Sequence, residues 1–316
     1  MRAVTIDRFG DPSGLTVRET PAPAPGPGEL ALTVEAAGVA GVDAVIRRGT
    51  ISSGLFPAGT VLGSEAAGTV TAVGDGVPGD WVGRRVWAFT GYGGAYAEQA
   101  VARLDDLTEL PEGLSPVDAV TIGSAGPVAH FGLAHVHHAE GESVLVRGAA
   151  GSIGIAAVEL AARAGVVAVT TSSAERGERL RTLGATYVLD RSGAGDAPET
   201  YDVIVDIVGG PTTADYLDRL APNGRMVLVG AVAGMPPGDL GARLLESFQQ
   251  SRSVATFSLN TVPVEARNGV RAEHLAAVAR GDLHAVVHDV LPLDRAAEAH
   301  RRMDDGEVFG RIVLVP

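Results

Sequence analysis

Glycine recurs at every third residue across Gly148, Gly151 and Gly154, between the apolar run SVLVRG (Ser143–Gly148) and the helix-forming stretch IGIAAVELAARAG (Ile153–Gly165). A strand that ends in a glycine turn and opens directly into a helix lets backbone approach a pyrophosphate closely. The helix N-terminus then offers N–H groups and a partial positive charge to that anion. A plain tight turn is the other reading of such a triplet in a chain with 42 glycines. The strand before it and the helix after it favour dinucleotide binding, with Gly148, Ala149, Ala150, Gly151, Ser152, Ile153 and Gly154 as the phosphate contacts.

The alternation continues downstream through VVAVTT, the helical Glu175–Ala185, YVLD, YDVIVDIVGG and GRMVLVGAVAG. Continuous Val, Ile and Leu runs separated by helices predict a parallel sheet covered on both faces. The first helix of the series is expected to stop at a capping glycine, Gly165. Before Ser115 the pattern differs: ELALTVEAAGV (Glu29–Val39) and EAAGTVTAVG (Glu65–Gly74) alternate as short strands, punctuated by Pro and Gly. TPAPAPGPGE (Thr20–Glu29) reads as a surface connection within that β-rich part. The tail reads as strand, helix, strand, its last strand returning to the first domain.

At 316 residues the chain is long enough for two domains. Its formal charge of −13 argues against a nucleic-acid partner. The absence of cysteine removes disulfides, thiolate chemistry and Cys-ligated metal. The uncharged window Ala119–Ala139 has the length of a membrane span, but Pro127 and its histidines mark it as buried helix pieces. With no leader-like run at Met1–Phe9, no membrane association and a cytoplasmic location are expected. His135 and His138 are expected to share a helix face, near a helix C-terminus that favours histidine without any metal.

The residues after the second strand bear on cofactor choice. An NAD site usually places Asp or Glu there, on the ribose 2′-hydroxyl. The chain instead reads VTTSSAER (Val169–Arg176). Ser172, Ser173 and Arg176 suit a 2′-phosphate, with Arg191 as a second cation, and NADPH is the expected cofactor. The bland alternative is a Ser/Thr helix cap with solvated charges.

Several stretches taken together resemble the medium-chain dehydrogenase/reductase superfamily, in its zinc-free quinone oxidoreductase branch. They are AAGVAGVDAVIRRG (Ala36–Gly49), VLGSEAAGTVTAVGDGV (Val61–Val77), VGRRVWAF with GGAYAEQA, LPEGLSPVDAV, VLVRGAAGSIG, LGATYVLD, YDVIVDIVGG, GRMVLVG and the closing GDLHAVVHDVLPLDRAAEAHRRMDDGEVFGRIVL. The resemblance runs along essentially the whole chain. It implies an α/β protein with a GroES-like β-rich catalytic domain (1–118 and 263–316) and a Rossmann doubly wound parallel-sheet domain (119–262), the active site lying between them. It also implies Val208, Gly230, Ala231 and Arg311 as cofactor contacts. Zinc-dependent relatives carry His before the Glu of GSEAAG; here that residue is Ser64, so no metal is expected.

The resemblance further implies hydride transfer from NADPH to a quinone or another conjugated carbonyl. An enoyl or 2-alkenal reductase acting on a biosynthetic intermediate is the second reading, and a non-catalytic NADPH-binding sensor or structural protein the third. Three positions depart from the family pattern. Ala40 replaces the Asn of G-V-N, Val45 the frequent Tyr, and Val128 the Thr facing the nicotinamide. The pocket is therefore expected to be apolar, lined by Val42, Val45, Trp87, Tyr92, Val128 and Phe131, although such aromatics also serve as core. Tyr92, Tyr96, His130 and Asp43 are the candidate proton donors; Asp43 as a helix cap, Tyr96 as strand packing and His130 as a core histidine are their structural alternatives. The apolar segment SVATFSLN (Ser253–Asn260) is expected to pair across a homodimer, with cover within the monomer as the alternative.

Overall fold

The computed structural model describes residues 1–50 and 56–316. It divides into two units, Met1–Ser124 with Pro263–Pro316, and Ala125–Val262. The first unit opens with an antiparallel pair, β1 (Arg2–Ile6) and β2 (Leu15–Glu19). β3 (Glu29–Gly38), α1 (Gly41–Arg48), β4 (Glu65–Val73), β5 (Arg85–Phe89), β6 (Gln99–Arg103) and β7 (Leu107–Glu109) follow. In β3, Leu30, Leu32 and Val34 are buried while Thr33 and Glu35 face solvent, the alternation read from the sequence. α2 (Pro116–Ile122) begins at Ser115, whose hydroxyl accepts the Asp118 N–H at 3.0 Å. It buries Ala119 to Ile122 and packs against β3 and β4. That packing moves the boundary expected at 118/119 to a point after Ser124.

The second unit runs α3 (Ala125–His135), β8 (Val144–Arg147), α4 (Ser152–Ala162), β9 (Val167–Thr170), α5 (Ala174–Thr182), β10 (Tyr187–Leu189), β11 (Tyr201–Asp206), a 3-10 stretch (Pro211–Arg219), β12 (Leu220–Leu228), α6 (Leu240–Glu246) and β13 (Ser253–Thr256). Its six parallel strands lie in the order β10-β9-β8-β11-β12-β13. Chain order reverses between β8 and β11, the doubly wound arrangement whose ligand crevice lies at the strand carboxyl ends. β8 and β9 are buried at every residue, as a sheet covered on both faces requires.

Two local expectations are corrected. α4 stops at Ala162 with Arg163 as its cap, and Gly165 does not adopt a left-handed φ. Gly165 is needed for close approach instead, because a Cβ there would lie 2.3 Å from the Glu142 carbonyl oxygen. α3 ends at His135, and His137 turns the chain with a φ of 52°, so His135 and His138 share no helix face. Among the described residues no helix is long and apolar enough to cross a membrane.

The chain returns to the first unit through α7 (Val264–Arg280), β14 (Val287–Pro292), α8 (Ala296–Asp304) and β15 (Arg311–Val315). β15 pairs antiparallel with β3 and parallel with β14. The result is a seven-stranded sheet, β14-β15-β3-β4-β5-β7, with β6 also on β3. Each unit has its own core, around Ile6, Leu32, Leu62 and Leu314 in the first and Leu145, Ile204, Leu217 and Met226 in the second.

Candidate functional site

The three loop glycines meet three different steric demands. Gly148 has a φ of 86°, and a Cβ on it would lie 2.9 Å from Val208 Cγ2. A Cβ on Gly154 would lie 2.5 Å from the Gly148 carbonyl oxygen and 2.6 Å from Ala149 Cα, so glycine lets α4 pack directly on the loop. Gly151 is the opposite case. It is the exposed N-cap of α4, and a Cβ on it meets nothing nearer than the Gly148 oxygen at 4.0 Å. No side chain caps α4. Open space before an uncapped helix N-terminus fits a pyrophosphate. Val208, Gly230 and Ala231 reach the same edge from β11 and β12; a Cβ on Gly230 would lie 2.5 Å from the Ile207 oxygen, and one on Gly209 3.0 Å from Ala231 Cα.

Further along this edge, the ends of β9 and β10 border an open groove of about 470 Å³, lined by Thr171, Ser172, Ser173, Leu189, Asp190 and Arg191 among others. Ser173 is the N-cap of α5 and accepts the Arg176 N–H at 3.3 Å, so the capping role holds for that hydroxyl. Arg176 Nη1 donates to Ser172 Oγ at 2.9 Å. Burial first, then the positive charges of Arg191 and Arg179, hold Arg176 below the usual arginine range. A phosphate beside Arg176 and Arg191 would offset that mutual repulsion. Asp190 also lines the groove, but its Oδ1 is engaged by the N–H groups of Ser192 and Ala194, at 2.8 and 3.0 Å, and by the Ser192 hydroxyl.

Arg147 and Asp206 were not among the residues expected from sequence. They are the last residues of β8 and β11, the two strands at the order reversal. Arg147 Nη1 donates to Asp206 Oδ2 at 2.8 Å and Nη2 to Thr212 Oγ1 at 2.6 Å. Asp206 Oδ1 accepts the N–H groups of Val208 and Gly209, both at 2.9 Å. A charged residue closing each of the apolar runs VLVR and VIVD was the available signal.

In the first unit, Asp43 and Tyr96 come together. Asp43 Oδ2 accepts the Ala40 N–H at 2.9 Å, capping α1, and the Tyr96 hydroxyl at 3.1 Å. Tyr96 lies 3.3 Å from His300 Nε2, and Arg47 Nε donates to His300 Nδ1 at 3.3 Å. Arg47 in turn pairs with Asp304 at 2.6 Å. Burial pushes the Asp43 carboxyl up to about 6, against the Ala40 N–H, Arg311, Tyr96 and Ser64. Both side chains are fully buried. Neither can hand a proton to a bound substrate, which corrects their place among the candidate donors.

Two further expectations are corrected in this unit. Arg311 is buried and pairs with Glu65, which the N–H of Trp87 also reaches at 2.9 Å. It therefore has no face for a cofactor. Trp87 is 1% exposed, between Glu65 and Arg271, whose guanidinium carbon sits 3.9 Å from the Trp87 ring centre; it is core rather than pocket wall. Tyr92 is 45% exposed, its ring edge-on to Phe89. Val42 and Val45 are half-buried on α1, and Val128, His130 and Phe131 are half-buried on α3, where the His130 and Phe131 rings meet edge-on.

Residues 26–112 match the family model for the alcohol dehydrogenase GroES-like domain, and residues 183–314 that for zinc-binding dehydrogenase. A mouse quinone oxidoreductase is 30% identical over 330 residues, covering 100% of this chain and 98% of the relative. The chain belongs to the medium-chain dehydrogenase/reductase superfamily. Within it the chain falls in the quinone oxidoreductase branch, as an NAD(P)-dependent oxidoreductase. A mycobacterial protein solved in complex with NADPH superposes on this reductase with a TM-score of 0.91, at 30% identity and 100% coverage of both chains. The reductase is also similar to part of a phenolphthiocerol/phthiocerol polyketide synthase of Mycobacterium tuberculosis. That match is 32% identical over 320 residues, or 98% of this chain and 14% of the synthase polypeptide.

One of these family models carries zinc in its name, but the donor set here is wrong for that metal. The reductase has no cysteine, and Ser64 stands where zinc relatives place His. Both oxygens of the neighbouring Glu65 are engaged, by Arg311 and Trp87. Among the described residues no three His, Asp or Glu side chains are grouped to hold a metal ion. The residues do not fit zinc.

Proposed function

We propose that this reductase transfers hydride from NADPH to a quinone or a similarly conjugated carbonyl, without a metal. The observation that carries the cofactor half is the groove lined by Ser172 and Arg191, with Arg176 donating to Ser172 and close enough to feel the Arg191 charge, a pair of cations that suits a 2′-phosphate. The NADPH complex of the mycobacterial relative supports it. The acceptor half follows from the donor set. With no metal to polarise an isolated carbonyl, an acceptor that spreads the incoming charge through its own π system suits this donor set best. The quinone oxidoreductase relatives agree with that class.

NADPH supplies the hydride when bound. The loop from Gly148 to Gly154 holds the pyrophosphate with its backbone N–H groups, while Val208, Gly230 and Ala231 shape the neighbouring edge. In the first unit Val42 and Val45 leave half-buried apolar side chains on α1, and in the second Val128 and Phe131 do so on α3, an apolar character that suits a conjugated acceptor. Of the proton-donor candidates, Tyr92 and His130 keep partly exposed side chains and stay in that role.

Enoyl reduction is the second reading, favoured by the similarity to the polyketide synthase segment. NADPH consumption with matched panels of quinones and enones separates the two. Faster turnover of quinones is expected; faster turnover of enones would replace the first reading with the second. Tight NADPH binding with no turnover of either panel would leave only a cofactor-binding role. We also propose a homodimer formed along β13, which pairs with β12 at the edge of its sheet and is half-exposed at Val254 and Ala255. Sedimentation at micromolar concentration should give twice the chain mass; a monomer would rule this out.

A further inference from the structure

Tyr216 lies on the 3-10 stretch after β11 and is 3% exposed. Its ring receives the Arg147 guanidinium, whose carbon is 4.4 Å from the ring centre. Its hydroxyl donates to the carbonyl oxygen of Arg191 at 3.2 Å. Arg147 is itself fixed by Asp206 and Thr212 at the end of β8. The turn that carries Arg191 also closes on itself: the Gly193 N–H donates to the Asp190 carbonyl, and the Asp190 N–H to that of Ala194, both at 2.9 Å. Those bonds shape the turn. The Tyr216 bond ties it to the buried carboxyl end of the sheet.

We propose that Tyr216 is a positioning residue for cofactor selection, holding the Arg191 backbone so that its guanidinium stays at the groove that receives a ribose 2′-phosphate. The inference rests on the NADPH reading above. Tyr216 acts through another residue: its hydroxyl is committed to the Arg191 carbonyl and its ring to Arg147. Arg191 matters to a cofactor with a charged 2′-phosphate far more than to one with a neutral 2′-hydroxyl. Releasing the turn therefore weakens NADPH and spares NADH. A purely structural role would weaken both.

The test uses the full chain as wild type, Tyr216→Phe, Arg191→Ala and the double variant, each titrated with NADPH and with NADH. Phe keeps the ring and its cation contact and removes only the hydroxyl. The dissociation constant for NADPH should rise about fivefold in Tyr216→Phe while that for NADH stays unchanged. In the Arg191→Ala background the same substitution should add nothing further. Equal weakening of both cofactors, an unchanged NADPH-to-NADH ratio, or additive losses in the double variant would each overturn the proposal. Wild-type protein with no preference for NADPH would overturn the cofactor reading itself. A wild-type preference that persists undiminished in Tyr216→Phe overturns the positioning role alone.

Discussion

Gly151 and Gly154 differ by three positions and carry opposite loads, which a pair of alanine substitutions should separate. In Gly154→Ala the new methyl meets loop backbone at 2.5 and 2.6 Å, and backbone has little room to yield. Overpacking of this kind costs about 1–3 kcal/mol, so denaturant melts should show a destabilised protein. Gly151→Ala finds open space, and its stability should fall by no more than about 1 kcal/mol, the difference between the two residues as N-caps. That space is where the pyrophosphate is proposed to lie, so its NADPH affinity should drop by about tenfold or more. Comparable stability losses in the two variants would contradict this division of labour. Arg176 offers a second residue-level check. Arg176→Ala removes a charge-assisted contact proposed for the 2′-phosphate, which should raise the NADPH dissociation constant by about tenfold and leave that for NADH within about twofold. Equal losses would take Arg176 out of the phosphate site.

Between elements, the pairing of Glu65 at the start of β4 with Arg311 at the start of β15 joins segments 246 residues apart. Arg311 lies over Gly38 in β3, where a Cβ would come 2.6 Å from its Nε. Arg311→Met would leave the Glu65 carboxylate buried with Trp87 as its hydrogen-bond partner and the Arg271 charge behind that ring, at a cost of about 3 kcal/mol. Denaturant titration should register that loss, while the folded fraction binds NADPH with wild-type affinity. A large rise in the NADPH dissociation constant would instead restore Arg311 to the cofactor site. Elements themselves were legible because their signals are local: β8 is a continuous apolar run, β3 alternates, and the glycine triplet opens a helix. Pairings between distant segments were not. The sequence around Arg311 looks like any strand beginning with a cation, and its partner is set by tertiary packing alone. The same holds for Tyr96 and His300, 204 residues apart, each of which stood in a separate motif with nothing in either to point to the other. Trp87 was misplaced for the related reason that an aromatic near a glycine-rich loop reads equally as core or pocket.

For the whole molecule, the chain of contacts from Asp43 through the buried Tyr96, His300 and Arg47 to Asp304 at the surface links α1 to α8 and makes stability depend on pH. Burial, then the neighbouring Arg47, lowers the His300 imidazole to about 3 from its ordinary 6.5. The unfolded chain therefore binds a proton between about pH 3 and 6.5 that the fold refuses. The stability held by the neutral ring is complete above pH 6.5 and is lost as pH falls through that window. Asp43 works in the other direction. Its carboxyl is raised from 3.8 to about 6, so its contribution is present below pH 3.8 and lost as pH rises through 6. The His300 displacement is the larger, so acidification from pH 6.5 should destabilise the protein on balance. His300 alone accounts for roughly 2 kcal/mol of that loss by pH 5. His300→Gln keeps a polar side chain that can donate and accept but removes the titration. Melting curves from pH 8 to pH 4 should therefore fall less steeply in this variant than in wild type. The difference should open below pH 6.5, with Asp43 alone steepening the opposite slope between pH 4 and 6. Parallel curves for the two proteins would mean that this buried ring does not govern the acid limb, and that the exposed carboxylates do.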